Sequence, residues 1–96
     1  MSDKKDADAF YKKLKSQLSD TSLWPTPYLY KFIVPTDRSK IDTISAIFDN
    51  MGAVIDTKES RNGKYTSVSI NVTMKNPDAV IEKYKAVGKV EGVISL

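Results

Sequence analysis

The run from Lys64 to Met74 constrains the fold more than any other stretch of the chain. Val68, Ile70, Val72 and Met74 alternate with Tyr65, Ser67, Ser69, Asn71 and Thr73. A period of two is the period of a β-strand, so this run reads as a strand with one apolar face and one polar face. Ser60-Arg61-Asn62-Gly63 stands just before it, and a second β-rich run, Ala53 to Glu59, precedes that. Asn-Gly between two strands predicts a tight hairpin, because both residues tolerate a positive φ. In the first strand Ala53, Ile55 and Thr57 are expected on the inner face. A lone hairpin is marginal in water, so its apolar face requires further strands or helices to cover it.

The remaining segments supply them. Tyr28 to Val34 is β-rich, with Tyr30, Phe32 and Val34 on one side and Leu29, Lys31 and Ile33 on the other, and Pro35 closes it. Ser39 with Asp42 resembles a capping box. Ile41, Ile44, Ile47, Phe48 and Met51 then recur at helical spacing up to Gly52, which predicts a helix ending in a glycine cap. Asn76-Pro77-Asp78 combines an N-cap, a proline at the first helical position and an acid in the first turn. Val80, Ile81, Tyr84 and Val87 form the apolar stripe of this second helix. Lys83 and Lys85 complement its end and Gly88 stops it. Val90 to Leu96 reads as a final strand. The order strand, helix, strand, strand, helix, strand defines an α+β, ferredoxin-like βαββαβ sandwich: a four-stranded antiparallel sheet with both helices on one face.

An extra segment precedes this plan. Residues 1–23 read as an amphipathic helix of about three to four turns, with Ala7, Phe10, Tyr11, Leu14 and Leu18 on its apolar side. Asp3, Asp6 and Asp8 sit where the helix dipole favours negative charge. Trp24-Pro25-Thr26-Pro27 then holds the chain extended, with Trp24 anchoring it to the domain of residues 24–96.

Composition removes most reaction chemistry. The 96 residues include no Cys and no His, so thiol nucleophiles, Ser-His relays and the usual zinc sites are absent. The glycines Gly52, Gly63, Gly88 and Gly92 are each isolated at an element boundary, so no phosphate-cradling loop exists. No run is long and apolar enough for a membrane span, and no secretory signal is evident, which places the chain in the cytoplasm. Of the 15 basic residues only Arg38 and Arg61 are Arg, and scattered Lys suits a solvated surface more than a nucleic-acid footprint.

Trp24-Pro-Thr-Pro-Tyr-Leu-Tyr-Lys31 resembles the "FPTPF-x-YK" motif of the YbeD-like family, small bacterial proteins known as a domain of unknown function. Ser60-Arg-Asn-Gly-Lys-Tyr-Thr-Ser-Val-Ser-Ile70 resembles that family's "S-x-x-G-x-Y-x-S-[VL]-[ST]-[VI]" hairpin without gaps. The likeness runs over about residues 24 to 96, to the C-terminal Val-Ile-Ser-Leu. It implies a ferredoxin-like domain similar in plan to ACT regulatory domains, which bind small ligands at interfaces between paired domains. In many bacteria members of that family are encoded near lipoate-attachment enzymes, and the resemblance brings no enzymatic activity.

Three function classes follow. The first is a non-catalytic, ACT-like regulatory or binding module with no cofactor and no metal, taking a protein partner or small ligand, or pairing weakly with itself. Its candidate surface is the open sheet face and hairpin: Lys31, Lys58, Tyr65, Ser67, Ser69 and Asn71. The second is an RNA-binding domain of the RRM type, which shares the topology but requires stacking aromatics on the open face. Tyr30 and Phe32 point to the helices in this register, which leaves Tyr65 alone outward. The third is a small enzyme using Lys31, an amine flanked by Leu29 and Ile33, as a Schiff-base residue. The carboxylate pairs Asp42 with Asp49 and Asp37 with Asp42 read as caps and solubilising charges, and not as an acid–base dyad.

Overall fold

A computed structural model describes residues 2–21 and 23–95, with residues 2–8 and 21 described by backbone alone. The side chains of Asp3, Asp6, Ala7 and Asp8, and residue Leu96, lie outside the described residues. The elements in chain order are α1 (Ser2–Thr21), β1 (Thr26–Pro35), α2 (Arg38–Ile47), β2 (Val54–Glu59), β3 (Tyr65–Met74), α3 (Pro77–Gly88) and β4 (Ile94–Ser95). The strands form one antiparallel sheet in the order β2-β3-β1-β4. This is the α+β sandwich expected, with its extra N-terminal helix.

The core lies between the sheet and the helices α2 and α3. β1 contributes Tyr30, Phe32 and Val34, and β3 contributes Val68, Ile70, Val72 and Met74. Ile44 and Phe48 come from α2 and the residue after it, and Val80 and Val87 from α3. Pairing of Tyr30 with Ile70, Phe32 with Val68 and Val34 with Thr66 sets these side chains in rows. The polar atoms that enter this layer are matched. The Tyr30 hydroxyl donates to the Val80 carbonyl at 3.0 Å, the Tyr28 and Tyr84 hydroxyls share a hydrogen bond of 2.8 Å, and Thr66 shares one of 2.9 Å with Thr36.

Several boundaries differ from the sequence expectation, each for a local reason. The cap of α2 is Asp37, whose carboxylate accepts from the Ser39 amide at 2.9 Å; Ser39 is not the cap, and Asp42 pairs with Arg38 at 3.3 Å. α2 ends at Ile47, four residues before Met51. The Lys83 ammonium reaches across from α3 and donates to the Ile47 carbonyl at 2.8 Å, so it completes the end of α2 and not that of its own helix. α3 runs through Gly88 to a cap at Lys89. The last strand is short because residues 90–93 turn: the Val90 amide donates to Val87 at 2.9 Å and the Val93 amide to Val90 at 3.3 Å. Gly92 makes that turn possible, with φ of +82° and a would-be Cβ 2.9 Å from Pro35 Cγ.

α1 is longer than expected, at 20 residues or about 30 Å. It docks in the helical layer, on α3. Lys15 pairs with Asp78 at 2.8 Å, Lys85 sits 5.4 Å from the Tyr11 ring centroid, and the half-buried Trp24 donates from Nε1 to the Leu18 carbonyl at 3.2 Å. No described helix is long and apolar enough to cross a membrane.

Burial raises the Tyr30 hydroxyl above its ordinary value of 10.0, reinforced by Tyr28, and raises Tyr84 likewise, reinforced by its hydrogen bond to Tyr28. Unfolded tyrosines ionise near 10, whereas these two stay protonated in the fold. Their contribution to stability is therefore complete below pH about 10 and declines as the pH rises beyond it. In an alkaline titration, the tyrosinate absorbance of Tyr30 and Tyr84 should appear together with the loss of circular dichroism. Full ionisation of all five tyrosines near pH 10 with the fold intact would contradict this packing.

Candidate functional site

The face of the sheet turned away from the helices can be read as rows, because β2 and β1 both pair with β3 in defined register. Val54, Asn71 and Leu29 form one row, Asp56, Ser69 and Lys31 the next, and Lys58, Ser67, Ile33 and Ile94 the third. Tyr65 lies beyond, opposite Pro35. Period-two alternation places these side chains outward once Tyr30, Phe32, Val68 and Ile70 point inward. Lys31, Asp56, Lys58 and Asn71 are exposed, as are the apolar Leu29, Val54, Tyr65 and Ile94. All six candidate residues, Lys31, Lys58, Tyr65, Ser67, Ser69 and Asn71, stand on this face.

They do not form one site. Lys58, Tyr65 and Ser67 meet Ile33, Glu59, Ser60 and Arg61 around a hollow of about 530 Å³ at the hairpin end. Lys31, Ser69 and Asn71 lie on the flat sheet outside it. Two cations, Lys58 and Arg61, and the hydroxyls of Tyr65 and Ser67 surround the apolar Ile33, while Glu59 is the single carboxylate in the lining. Such a set suits a small molecule that carries an acidic group and a modest apolar part.

The hairpin that shapes the hollow differs from the two-residue turn expected. Only Gly63 has a positive φ, of 72°, and Asn62 acts through its side chain. Its Oδ1 accepts from the Lys64 amide at 3.0 Å and from the Ser60 hydroxyl at 3.1 Å. Ser60 Oγ in turn accepts from the Tyr65 amide at 3.1 Å, and the Ser60 amide donates to the Tyr65 carbonyl at 2.7 Å. This wider loop carries Ser60 and Arg61 to the hollow's edge. Neither is among the six candidate residues, because loop residues have no periodicity to mark them, although both fall within the hairpin motif.

The other candidates for chemistry are accounted for locally. Asp37 caps α2, and its hydrogen bonds from Ser39 hold its carboxyl below the usual value. Asp42 pairs with Arg38, and Asp49 accepts from the Asn50 amide at 3.1 Å. Among the described residues no three of His, Cys, Asp and Glu gather as metal ligands. Lys31 is exposed, without the enclosure that a Schiff-base amine uses. Tyr30 and Phe32 are 0% exposed, so the paired stacking platform of an RNA-binding sheet is not on the open face.

Fold and face together define a split βαβ domain whose sheet has one face turned away from the described helices. The chain belongs to the family described as "protein of unknown function (DUF493)", the YbeD family, which matches residues 20–96. No curated protein matches it significantly. Among solved structures it is similar to the ACT domain from GTP pyrophosphokinase of Chlorobium tepidum. That likeness has a TM-score of 0.52 and 16% identity, and covers 74% of this chain and 100% of that one. It bears on the fold alone.

The hairpin geometry makes a specific prediction. Asn62→Gly should lower stability in urea unfolding by about 0.5–1.5 kcal/mol, because the side-chain acceptor is lost. A two-residue turn with positive φ at position 62 would tolerate or favour the glycine.

Proposed function

We propose that this protein is a non-catalytic, ACT-like regulatory module, in which residues 24–96 form the binding domain and residues 1–23 an extension docked on it. Its ligand is a small molecule bearing an acidic group, held in the hollow at the hairpin end. The observation that carries this reading is the convergence of Lys58, Arg61, Tyr65 and Ser67 around Ile33 in a space of about 530 Å³, the volume range of small-molecule sites. The Lys58 and Arg61 charges would meet the acid and Ile33 the apolar part. The lack of Cys and His in the sequence, which removes thiol and imidazole chemistry, supports binding over reaction. A cytoplasmic location is part of the same proposal; no described helix is long and apolar enough to cross a membrane.

The test is a nuclear magnetic resonance titration of dilute protein with individual L-amino acids and with acetate as probes. Amide shifts should concentrate at Ile33, Lys58, Arg61, Tyr65 and Ser67. Lys58→Ala and Arg61→Ala should each weaken the responding probe about tenfold, the equivalent of about 1.4 kcal/mol. Shifts centred elsewhere, or affinities unchanged in both variants, would overturn the assignment of the hollow.

A further inference from the structure

The flat part of the open face, outside the hollow, has a charge and apolar pattern that is complementary to itself. β3 runs down its middle and presents Ser69 and Asn71, two small polar side chains. On one side β2 presents Val54 and Asp56; on the other β1 presents Leu29 and Lys31, in the same two rows. Val54 is 62% exposed and Leu29 51% exposed, and no ion pair is formed by Asp56 or Lys31 among the described residues.

We propose that two copies of this chain pair face to face through the open sheet, about a two-fold axis parallel to β3. That operation leaves each row in place and exchanges its ends. Asp56 of one copy comes over Lys31 of the other, Val54 over Leu29, and Ser69 over its own counterpart, with both contacts made twice by symmetry. An axis across the strands instead lays Asp56 on Asp56 and Lys31 on Lys31, which repulsion opposes. The register itself therefore selects one of the two ways to stack these faces. Aligned sheets pack about 10 Å apart and about 30° off parallel. A strand about 4.8 Å from the axis is displaced by only about 2–3 Å along its length, less than the roughly 6.7 Å between rows, so the partners stay in reach. Small side chains on β3 allow the close approach.

The pairing is weak. Three strands of about six residues present roughly 300 Å² of flat sheet, against about 800 Å² per partner in a standard interface. The net charge of +3 on each copy also opposes association. Both hairpins lie at the same end of such a pair, so the two hollows face one another across the axis. This inference rests on the open face being the binding surface, but its test needs no ligand.

Sedimentation equilibrium without added ligand, at protein concentrations from about 10 μM to about 1 mM, measures the pairing alone. The wild type should dimerise reversibly within that range. Asp56→Lys and Lys31→Asp should each weaken dimerisation at least tenfold with unchanged circular dichroism, since both residues are exposed. The double variant Asp56→Lys/Lys31→Asp should regain the wild-type constant. A wild type that stays monomeric at 1 mM overturns the proposal, as does a dimer insensitive to the single changes or a double variant that fails to recover. A sheet-edge dimer through β2 would give that last result, since Lys31 lies on β1. Ligand titration of dilute protein reports on the hollow separately, so the failure of either reading is recognised by itself.

Discussion

The pairing of β1 with β3 is the interaction on which everything else rests. Antiparallel pairs run without a bulge from Thr26 opposite Met74 to Pro35 opposite Tyr65. Because side chains alternate with a period of two, this one register decides the fate of both strands at once. It sends Tyr30, Phe32, Val68 and Ile70 into the layer under α2 and α3, and it leaves Leu29, Lys31, Ser67 and Ser69 on the opposite face. A slip of one residue would exchange the two sets, bury Lys31 and expose two aromatic rings. The cost of an uncompensated buried ammonium makes that arrangement untenable.

The aromatic layer then holds the register in place. Tyr30 packs against Phe48 and Tyr84 with centroids 4.9 Å away in each case, and its hydroxyl is tied to α3. Lys83 ties α3 to the end of α2. Both helices are thus fixed to each other and to the sheet by polar contacts at the edges of an apolar core. α1 joins the same side through Tyr11, Lys15 and Leu18. The outcome is an asymmetric molecule: one sheet face lies beneath the helices, and no described element covers the other.

Much of this was legible in the sequence because periodicity carries it. The alternation of Val68, Ile70, Val72 and Met74, and the spacing of Val80, Ile81, Tyr84 and Val87, each admit one burial pattern, and the structure has those patterns. What was not legible depends on single hydrogen bonds. Asp37 and Ser39 are both acceptable caps, and only the chain's path after Pro35 selects Asp37. The Asn62 amide side chain competes with the backbone turn that Asn-Gly usually makes. Lys83 reaches an element far away in sequence, which no local pattern reveals. For the site, sharing a face was readable for all six candidates. That Lys58, Tyr65 and Ser67 border a hollow with Arg61 while Lys31 and Asn71 do not depends on the loop's shape, which the hairpin hydrogen bonds set.

The β1–β3 register determines which side chains the open sheet face presents. Addition of a soluble paramagnetic relaxation agent to dilute protein tests that register most directly. The resonances of Leu29, Val54 and Tyr65 should broaden strongly, while those of Tyr30, Phe32, Val68 and Ile70 stay sharp. Broadening of the Tyr30 and Phe32 rings with Leu29 and Ile33 protected would contradict the account, because the face assigned to binding would then be the core.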